Sequence, residues 1–172
     1  IIVNIDETLN MDCQELSNAI TKNTKLIVPV HMLGNQCRMD KIMQVSNKHK
    51  IPVLEDACEA MGGKYDGKML GTIANAGIFS LDFGKTITTG EGGIIVTNDH
   101  KLHKYAREFH DHGHENNKNF PRGKDTRTIP GLNLRMNELQ AAVGIAQLTN
   151  QSSKQGLQSD PENHYRPVAL FS

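Results

Sequence analysis

Net charge is the first thing this sequence lacks. Lysines and arginines number 19 against 19 aspartates and glutamates in 172 residues, so no long-range field draws the chain to nucleic acid or to an acidic membrane surface. There is also no run of about 18 apolar residues, so no helix crossing a membrane is expected. Cysteine is scarce: Cys13, Cys37 and Cys58 cannot all pair and show no metal-ligand spacing. Three such cysteines suit buried structural thiols in a reducing cytoplasm. An initiator methionine is missing as well. The chain opens at Ile1 on an apolar run over residues 1–5 that is already strand-like, and it reads as a piece cut from a longer protein. Its length suffices for one domain with a real core.

What is present centres on residues 79–97, FSLDFGKTITTGEGGIIVT. An apolar run leads into Gly84 and Lys85, threonines and the cluster Gly90-Glu91-Gly92-Gly93 follow, and a β-branched run closes the stretch. That pattern predicts strand, exposed turn, strand. Turn glycines permit positive φ and close backbone approach to a ligand. A lysine partly desolvated at such a turn has a lowered pKa and a nucleophilic amine, although a lone lysine in a hairpin is more often a solvated surface residue. The triplet Gly84-Lys85-Thr86 resembles the end of a phosphate-binding P-loop. That motif needs a glycine where Phe79 stands, and a helix rather than a strand after the lysine, so it fails.

The remainder alternates between helix and strand patterns. Asp12 is a candidate cap for a helix presenting Leu16, Ala19 and Ile20 on one face. Residues 26–30 predict a buried strand ending at His31 and turned by Gly34, residues 40–49 a helix, and residues 52–54 a strand running into Glu55 and Asp56. Two strands joined through a helix make a parallel βαβ unit. Asp66-Gly67 signals a tight hairpin turn. Residues 77–81 predict a strand, and residues 101–110 a helix with Leu102, Tyr105, Ala106 and Phe109 in one stripe. Residues 111–130 read as irregular, and residues 137–148 as a helix burying Leu139, Val143 and Ala146. Beyond Leu148 the Gln/Ser-rich stretch shows no periodicity and predicts a mobile tail. The fold class is α/β with a mostly parallel sheet, and ligands of such sheets bind at the carboxyl ends of the strands. His31, Asp56 and the turn at residues 80–85 all leave strand ends.

Four segments, VPVHMLG, IPVLEDACEAMGG, GIFSLDFGKTITTGEGGIIVTND and GLNLRMNELQAAVGIAQL, together resemble the DegT/DnrJ/StrS family of pyridoxal-phosphate-dependent sugar aminotransferases. The resemblance covers about residues 1–148 and implies the truncated large domain of a fold-type-I transferase, with residues 149–172 outside it. It implies a cytoplasmic homodimeric enzyme that transfers an amino group from a donor such as L-glutamate to a keto sugar. The sugar would be nucleotide-linked or, from the DFGKT and HDHGHENN segments, of octulosonate type, for polysaccharide biosynthesis. Sugar dehydratases share the fold but carry histidine where Lys85 stands. A binding or regulatory fragment is the other alternative, and the chain alone is expected not to turn over.

By position, the resemblance makes Lys85 the residue that bonds covalently to pyridoxal phosphate. Asp56 becomes the partner of its pyridine nitrogen and Ser80 a hydrogen-bond donor to its phosphate. Asn133 would reach the phosphate held by the neighbouring subunit, so that the site is shared across a two-fold axis. From the residues alone, a helix cap after the strand is the other reading of Asp56, and the lesser one. Glu59 departs from the family pattern, which places glutamine or histidine near the cofactor's phenolic oxygen. A carboxylate there is either protonated or turned away. His31 matches a position near the cofactor, but a satisfied histidine at a strand end fits as well. The alternating histidines of residues 110–115 offer a metal reading, but the resemblance implies a substrate or subunit contact and no metal.

Overall fold

The computed structural model describes residues 1–155 and 167–171, with residues 151–155 and 167–171 described by their backbone alone. The chain divides into two compact units, Ile1–Ser80 and Leu81–Ser172.

In the first unit the expected opening strand does not form. Ile1 and Ile2 are exposed and only Ile5 makes an antiparallel bridge, to Met11. A lone extended segment has no ladder to sustain it. Helix α1 (Cys13–Ala19) begins where expected, with Asp12 Oδ1 accepting from the N–H groups of Gln14 and Glu15 at 2.7 and 2.9 Å. Residues 26–30 pair with the next strand only at isolated parallel bridges, Ile27 with Val53 and Val30 with Asp56. Pro29 has no N–H to donate to Leu54 O, which breaks the expected strand into two contacts. Helix α2 (Met39–His49) packs Met39 and Ile42 inward and ends on Lys50 in the left-handed region. Strand β1 (Leu54–Asp56) then pairs in parallel with the later strand β4 (Ala76–Ser80), Leu54 opposite Ala76 and Asp56 opposite Ile78. Of the expected βαβ unit, residues 26–30 through α2 to residues 52–54, only the parallel sense appears, in the two isolated bridges.

Between them lies the hairpin β2 (Lys64–Tyr65) and β3 (Lys68–Met69), turned by Asp66 and Gly67 with φ of 48° and 79°. Two positive φ values in succession are what a two-residue hairpin turn of this hand requires. The core has Leu16, Ile27, Cys37, Met39, Ile42, Ile51 and Val53 in one cluster and Ala57, Ala60 and Leu70 in a second. Of the three cysteines only Cys37 is buried, which pushes its thiol up to about 12, while Cys13 and Cys58 are half-buried.

The second unit opens with the Lys85 turn and strand β5 (Gly93–Thr97). Helix α3 (His100–Phe109) is capped by Asp99, whose Oδ1 accepts from Lys101 and Leu102. Its buried residues are Ala106 and Glu108, whereas Leu102 and Tyr105 of the expected stripe stand 37% and 52% exposed. Residues 111–135 form an ordered loop held by charge. The guanidinium of Arg122 grips both oxygens of buried Asp111, and Arg135 Nε lies 3.4 Å from the same group. His114 Nε2 accepts from Arg127 at 2.8 Å, which leaves its proton on Nδ1, 3.4 Å from Asp125 Oδ2. Helix α4 (Glu138–Gln155) runs past the expected end at Leu148, because residues 149–155 contain neither proline nor glycine and each further residue adds a helical bond. Strand β6 (Pro167–Phe171) pairs antiparallel with β5. These two elements fall in the stretch expected to be a mobile tail, at 149–155 and 167–171. Its remaining positions, 156–166 and 172, lie outside the described residues.

Two outcomes test this packing. A Cβ placed on Gly77 falls 1.9 Å from the carbonyl oxygen of Gly71, whereas one on Gly123 meets nothing within 4 Å. Gly77→Ala should therefore destabilise by at least about 2 kcal/mol, as overpacking against backbone does, with Gly123→Ala close to neutral in the same urea titration. Separately, Arg122 lowers Asp111 from the ordinary 3.8 to about 2, against the upward pull of burial. A folded-state pKa below the unfolded one gives stability that is present above about pH 4 and lost as pH falls towards 2. Urea midpoints should fall less between pH 5 and pH 3 in Asp111→Asn than in the unsubstituted protein.

Candidate functional site

The residues singled out from sequence fall in both units, and each group has its own geometry. In the first unit the register of β1 and β4 decides which side chains share a face. Opposed residues in a parallel pair point the same way and alternate along each strand. Asp56, Ile78 and Ser80 therefore lie on one face, with Glu55, Gly77 and Phe79 on the other. Asp56 and Ser80 close their strands at the carboxyl end. Asp56 is half-buried, and one of its oxygens accepts from the Cys58 N–H at 3.1 Å. No helix begins after Asp56, so the helix-cap reading is not met, and the bond to Cys58 closes a turn through a single oxygen.

The opposite face explains why this edge is rigid. Glu55 is fully buried. Its Oε1 accepts from the N–H groups of Ile73 and Ala74, both at 2.6 Å, and its Oε2 from Gly71 at 2.8 Å. His31 Nε2 stands 3.2 Å from Oε2, and His31 Nδ1 accepts from the Cys37 N–H at 3.2 Å. An acceptor at Nδ1 fixes the proton on Nε2, so His31 donates to Glu55. His31 is therefore a satisfied core histidine, the second of its two sequence readings. Glu59 is exposed, and its Oε2 accepts from the Leu33 N–H at 2.8 Å. Its carboxylate fastens the turn at Met32–Gly34, in which Leu33 adopts a left-handed φ of 54°.

In the second unit Lys85 is half-buried on a tight turn, its N–H donating to Asp82 O at 3.0 Å while Gly84 N–H donates to Asp82 Oδ2 at 3.1 Å. The loop closes on itself beyond the lysine. Leu81 O accepts from Thr89 N–H at 3.0 Å and from the Thr88 hydroxyl at 3.2 Å, and Leu81 N–H donates to Gly92 O at 2.8 Å. Helix α4 grips the same loop from outside. Gln147 Oε1 accepts from Thr88 N–H at 3.0 Å, Gln147 Nε2 donates to Thr88 O at 2.8 Å, and Gln140 Nε2 donates to Glu91 O at 3.0 Å. Asn133 is exposed, bridged by backbone to Asp111, and its Oδ1 accepts from Arg135 Nε at 3.2 Å. Among the described residues no group of three His, Cys, Asp or Glu side chains is arranged to hold a metal ion. In the loop of residues 110–115, His114 is engaged by Arg127 and Asp125 instead.

Sequence reasoning passed over Glu55 and the two glutamines. Glu55 sits in phase with Val53 and Ala57, the core positions on either side of it, and a carboxylate at a core position of a strand demands donors. Gln140, Gly144 and Gln147 recur at helical spacing, as Leu139, Val143 and Ala146 do. The apolar set attracted the burial expectation, but Leu139 is 81% exposed and Val143 48%.

Comparison with known proteins agrees with this architecture. The sequence model of the DegT/DnrJ/EryC1/StrS aminotransferase family matches residues 1–160, which extends the similarity beyond the Leu148 boundary read from motifs. The GDP-perosamine synthase of Caulobacter vibrioides is 42% identical over 150 residues, covering 86% of this chain and 38% of that protein. Helicobacter pylori PseC, an aminotransferase involved in the biosynthesis of pseudoaminic acid, superposes with a TM-score of 0.82 at 34% identity, over 87% of this chain and 40% of that one. An E. coli GDP-4-keto-6-deoxy-D-mannose-3-dehydratase with bound hydrated PLP gives a TM-score of 0.78 at 34% identity, over 86% of this chain and 41% of that one. The chain thus spans about two fifths of the length of these relatives, and its α/β fold is that of the fold-type-I transferases. With 1–160 of its 172 residues inside the match, the chain belongs to the DegT/DnrJ/EryC1/StrS aminotransferase family.

Proposed function

We propose that the protein is a pyridoxal-phosphate-dependent aminotransferase of keto sugars, with Lys85 as the residue to which the cofactor is bonded. The single observation that carries the reading is the half-buried Lys85 on a turn whose backbone is tied at Leu81, Thr88 and Gly92. The donor set fits the cofactor: an amine for its aldehyde, a carboxylate at Asp56 for its ring nitrogen, and a hydroxyl at Ser80 and an amide at Asn133 for its phosphate. When bound, pyridoxal phosphate supplies an electron sink for the pair left on carbon as a proton departs.

The chain's own residues do the rest. Asp56 holds a proton on the ring nitrogen, because an adjacent carboxylate favours the charged form. Lys85 moves a proton as general base and then as general acid. Glu59, spent on the Leu33 amide, faces its turn and serves the site by fixing that loop. The substrate is a keto sugar, nucleotide-linked or of octulosonate type, and the amino donor is L-glutamate. The protein is a cytoplasmic enzyme that serves polysaccharide biosynthesis. We take the working form to be a homodimer whose partner copy contributes Asn133. The exposed apolar side of α4, with Leu139 and Val143 at 81% and 48% exposure, supports a second copy seated there. Residues 1–148 act as the cofactor-binding part of this assembly, with the segment after 148 outside it.

The test uses the full-length protein. Borohydride reduction and peptide mapping should place the cofactor on Lys85, and Lys85→Ala should remove that adduct and lower turnover by roughly a hundredfold to ten-thousandfold. An adduct on Lys64 or Lys68 would overturn the assignment. Production of a deoxy sugar without amine transfer would favour a dehydratase. Asp56→Asn should retain cofactor while proton abstraction slows by about a hundredfold or more, read in single-turnover absorbance traces; unchanged rates would remove Asp56 from the role.

A further inference from the structure

The strongest feature outside the assigned residues is the seam between α4 and the loop of residues 88–91. Gln147 binds both polar groups of one residue's backbone, its Oε1 taking the Thr88 N–H at 3.0 Å and its Nε2 giving to Thr88 O at 2.8 Å. One α4 turn earlier, a Cβ on Gly144 would come 3.0 Å from Thr89 Cγ2, so glycine there lets helix and loop approach closely. Two turns earlier Gln140 Nε2 donates to Glu91 O at 3.0 Å. Gln140, Gly144 and Gln147 form a single stripe at helical spacing. A paired donor and acceptor on a planar amide fixes both distance and rotation of the peptide it reads, where one hydrogen bond would fix distance alone. Thr88 is three residues from Lys85, and its hydroxyl ties the loop back to Leu81 O at 3.2 Å, at the root of the lysine turn.

We propose that Gln147 is a positioning residue for Lys85: by clamping the Thr88 peptide it holds the loop in the conformation from which the lysine amine bonds to the cofactor. The proposal rests on the assignment of Lys85 above. The chemistry of the clamp also makes it switchable in one variant. An ionised carboxylate in place of the amide keeps the acceptor for Thr88 N–H but sets a second oxygen against Thr88 O, which is repulsive. A protonated carboxyl restores a donor in the same place. Glutamate ordinarily titrates at about 4.3, and the Thr88 carbonyl facing its second oxygen disfavours the charged form and raises that value, so Gln147→Glu turns the clamp off at neutral pH and on again in acid.

The experiment uses full-length protein with Gln147→Glu and Gln147→Leu. Hydrogen exchange needs no cofactor, and the Thr88 amide should exchange at least tenfold faster in Gln147→Leu at pH 7.5, with amides of α2 unchanged. With pyridoxal phosphate added, borohydride-trapped adduct at Lys85 should form at least tenfold more slowly in both variants at pH 7.5. It should recover in Gln147→Glu at pH 5.5, relative to the unsubstituted protein at the same pH, and should not recover in Gln147→Leu. If both variants trap cofactor as fast as the unsubstituted protein, the positioning role is wrong. Equal slowing without acid recovery in Gln147→Glu also overturns it, since loss of packing alone would do that. If the unsubstituted protein carries no adduct on Lys85, the functional reading fails first, and unchanged Thr88 exchange would then overturn the clamp on its own.

Discussion

The first unit depends on one buried carboxylate. Glu55 has no solvent, and an ion in that setting costs several kcal/mol unless its lone pairs are met. They are met: three backbone amides of residues 71–74 and the Nε2–H of His31 all point at it. Every partner is a donor, which is the set an ionised carboxylate takes, and hydrogen bonds to a charged group contribute about 1.5–3 kcal/mol each. Several of them together offset the desolvation. The consequence is geometric. The loop of residues 71–74 is pinned to one face of the β1–β4 pair, where Gly77 has room for no side chain and Phe79 packs on Gly71. With that face closed, Asp56 and Ser80 on the opposite face have fixed directions, as a ligand at the strand ends requires.

The second unit solves a related problem with neutral groups. Loops leave backbone N–H and C=O groups without ladder partners, and each one withheld from water needs a substitute. At residues 88–91 the substitutes are side-chain amides of α4. Charge takes over in the loop of residues 111–135, where Asp111 collects Arg122 and Arg135 while Asp125 accepts from the N–H groups of Asn116 and Asn117. Burial raises the Asp125 pKa, but those amide donors outweigh it and the net shift is downward. Both devices place polar atoms by pairing rather than by packing, so a substitution that preserves volume but changes hydrogen-bonding sense disturbs them most.

Much of this was legible in the sequence because local rules and tertiary context agreed. Asp12 capped α1, Asp66-Gly67 turned its hairpin, and the glycine-rich run after Lys85 divided two strands, each by a mechanism confined to a few residues. Where the outcome depended on a distant partner, the reading failed. Residues 1–5 have strand composition, but strands need neighbours. Residues 26–30 have it too, but Pro29 lacks the donor that a continuous ladder would use. Among the site candidates, the face shared by Asp56 and Ser80 follows from strand register alone. The engagement of Glu59 by the Leu33 amide, 26 residues away in the chain, has no local signal.

Helix α4 shows where pattern and energy part company. Its sequence carries two stripes at the same spacing, one apolar and one of glutamines and glycine, and the apolar stripe faces outward with Leu139 and Val143 both exposed. Full burial of one such side chain is worth about 1.5–3 kcal/mol, whereas a neutral hydrogen bond contributes about 1 kcal/mol net. Three amide bonds to the loop are therefore of the same order as the burial forgone at these two apolar side chains. The balance tips towards the loop because the Thr88 and Glu91 backbone groups take their partners from this helix, and a peptide group withheld from water and left unpaired costs about 1–3 kcal/mol, more than a neutral hydrogen bond returns.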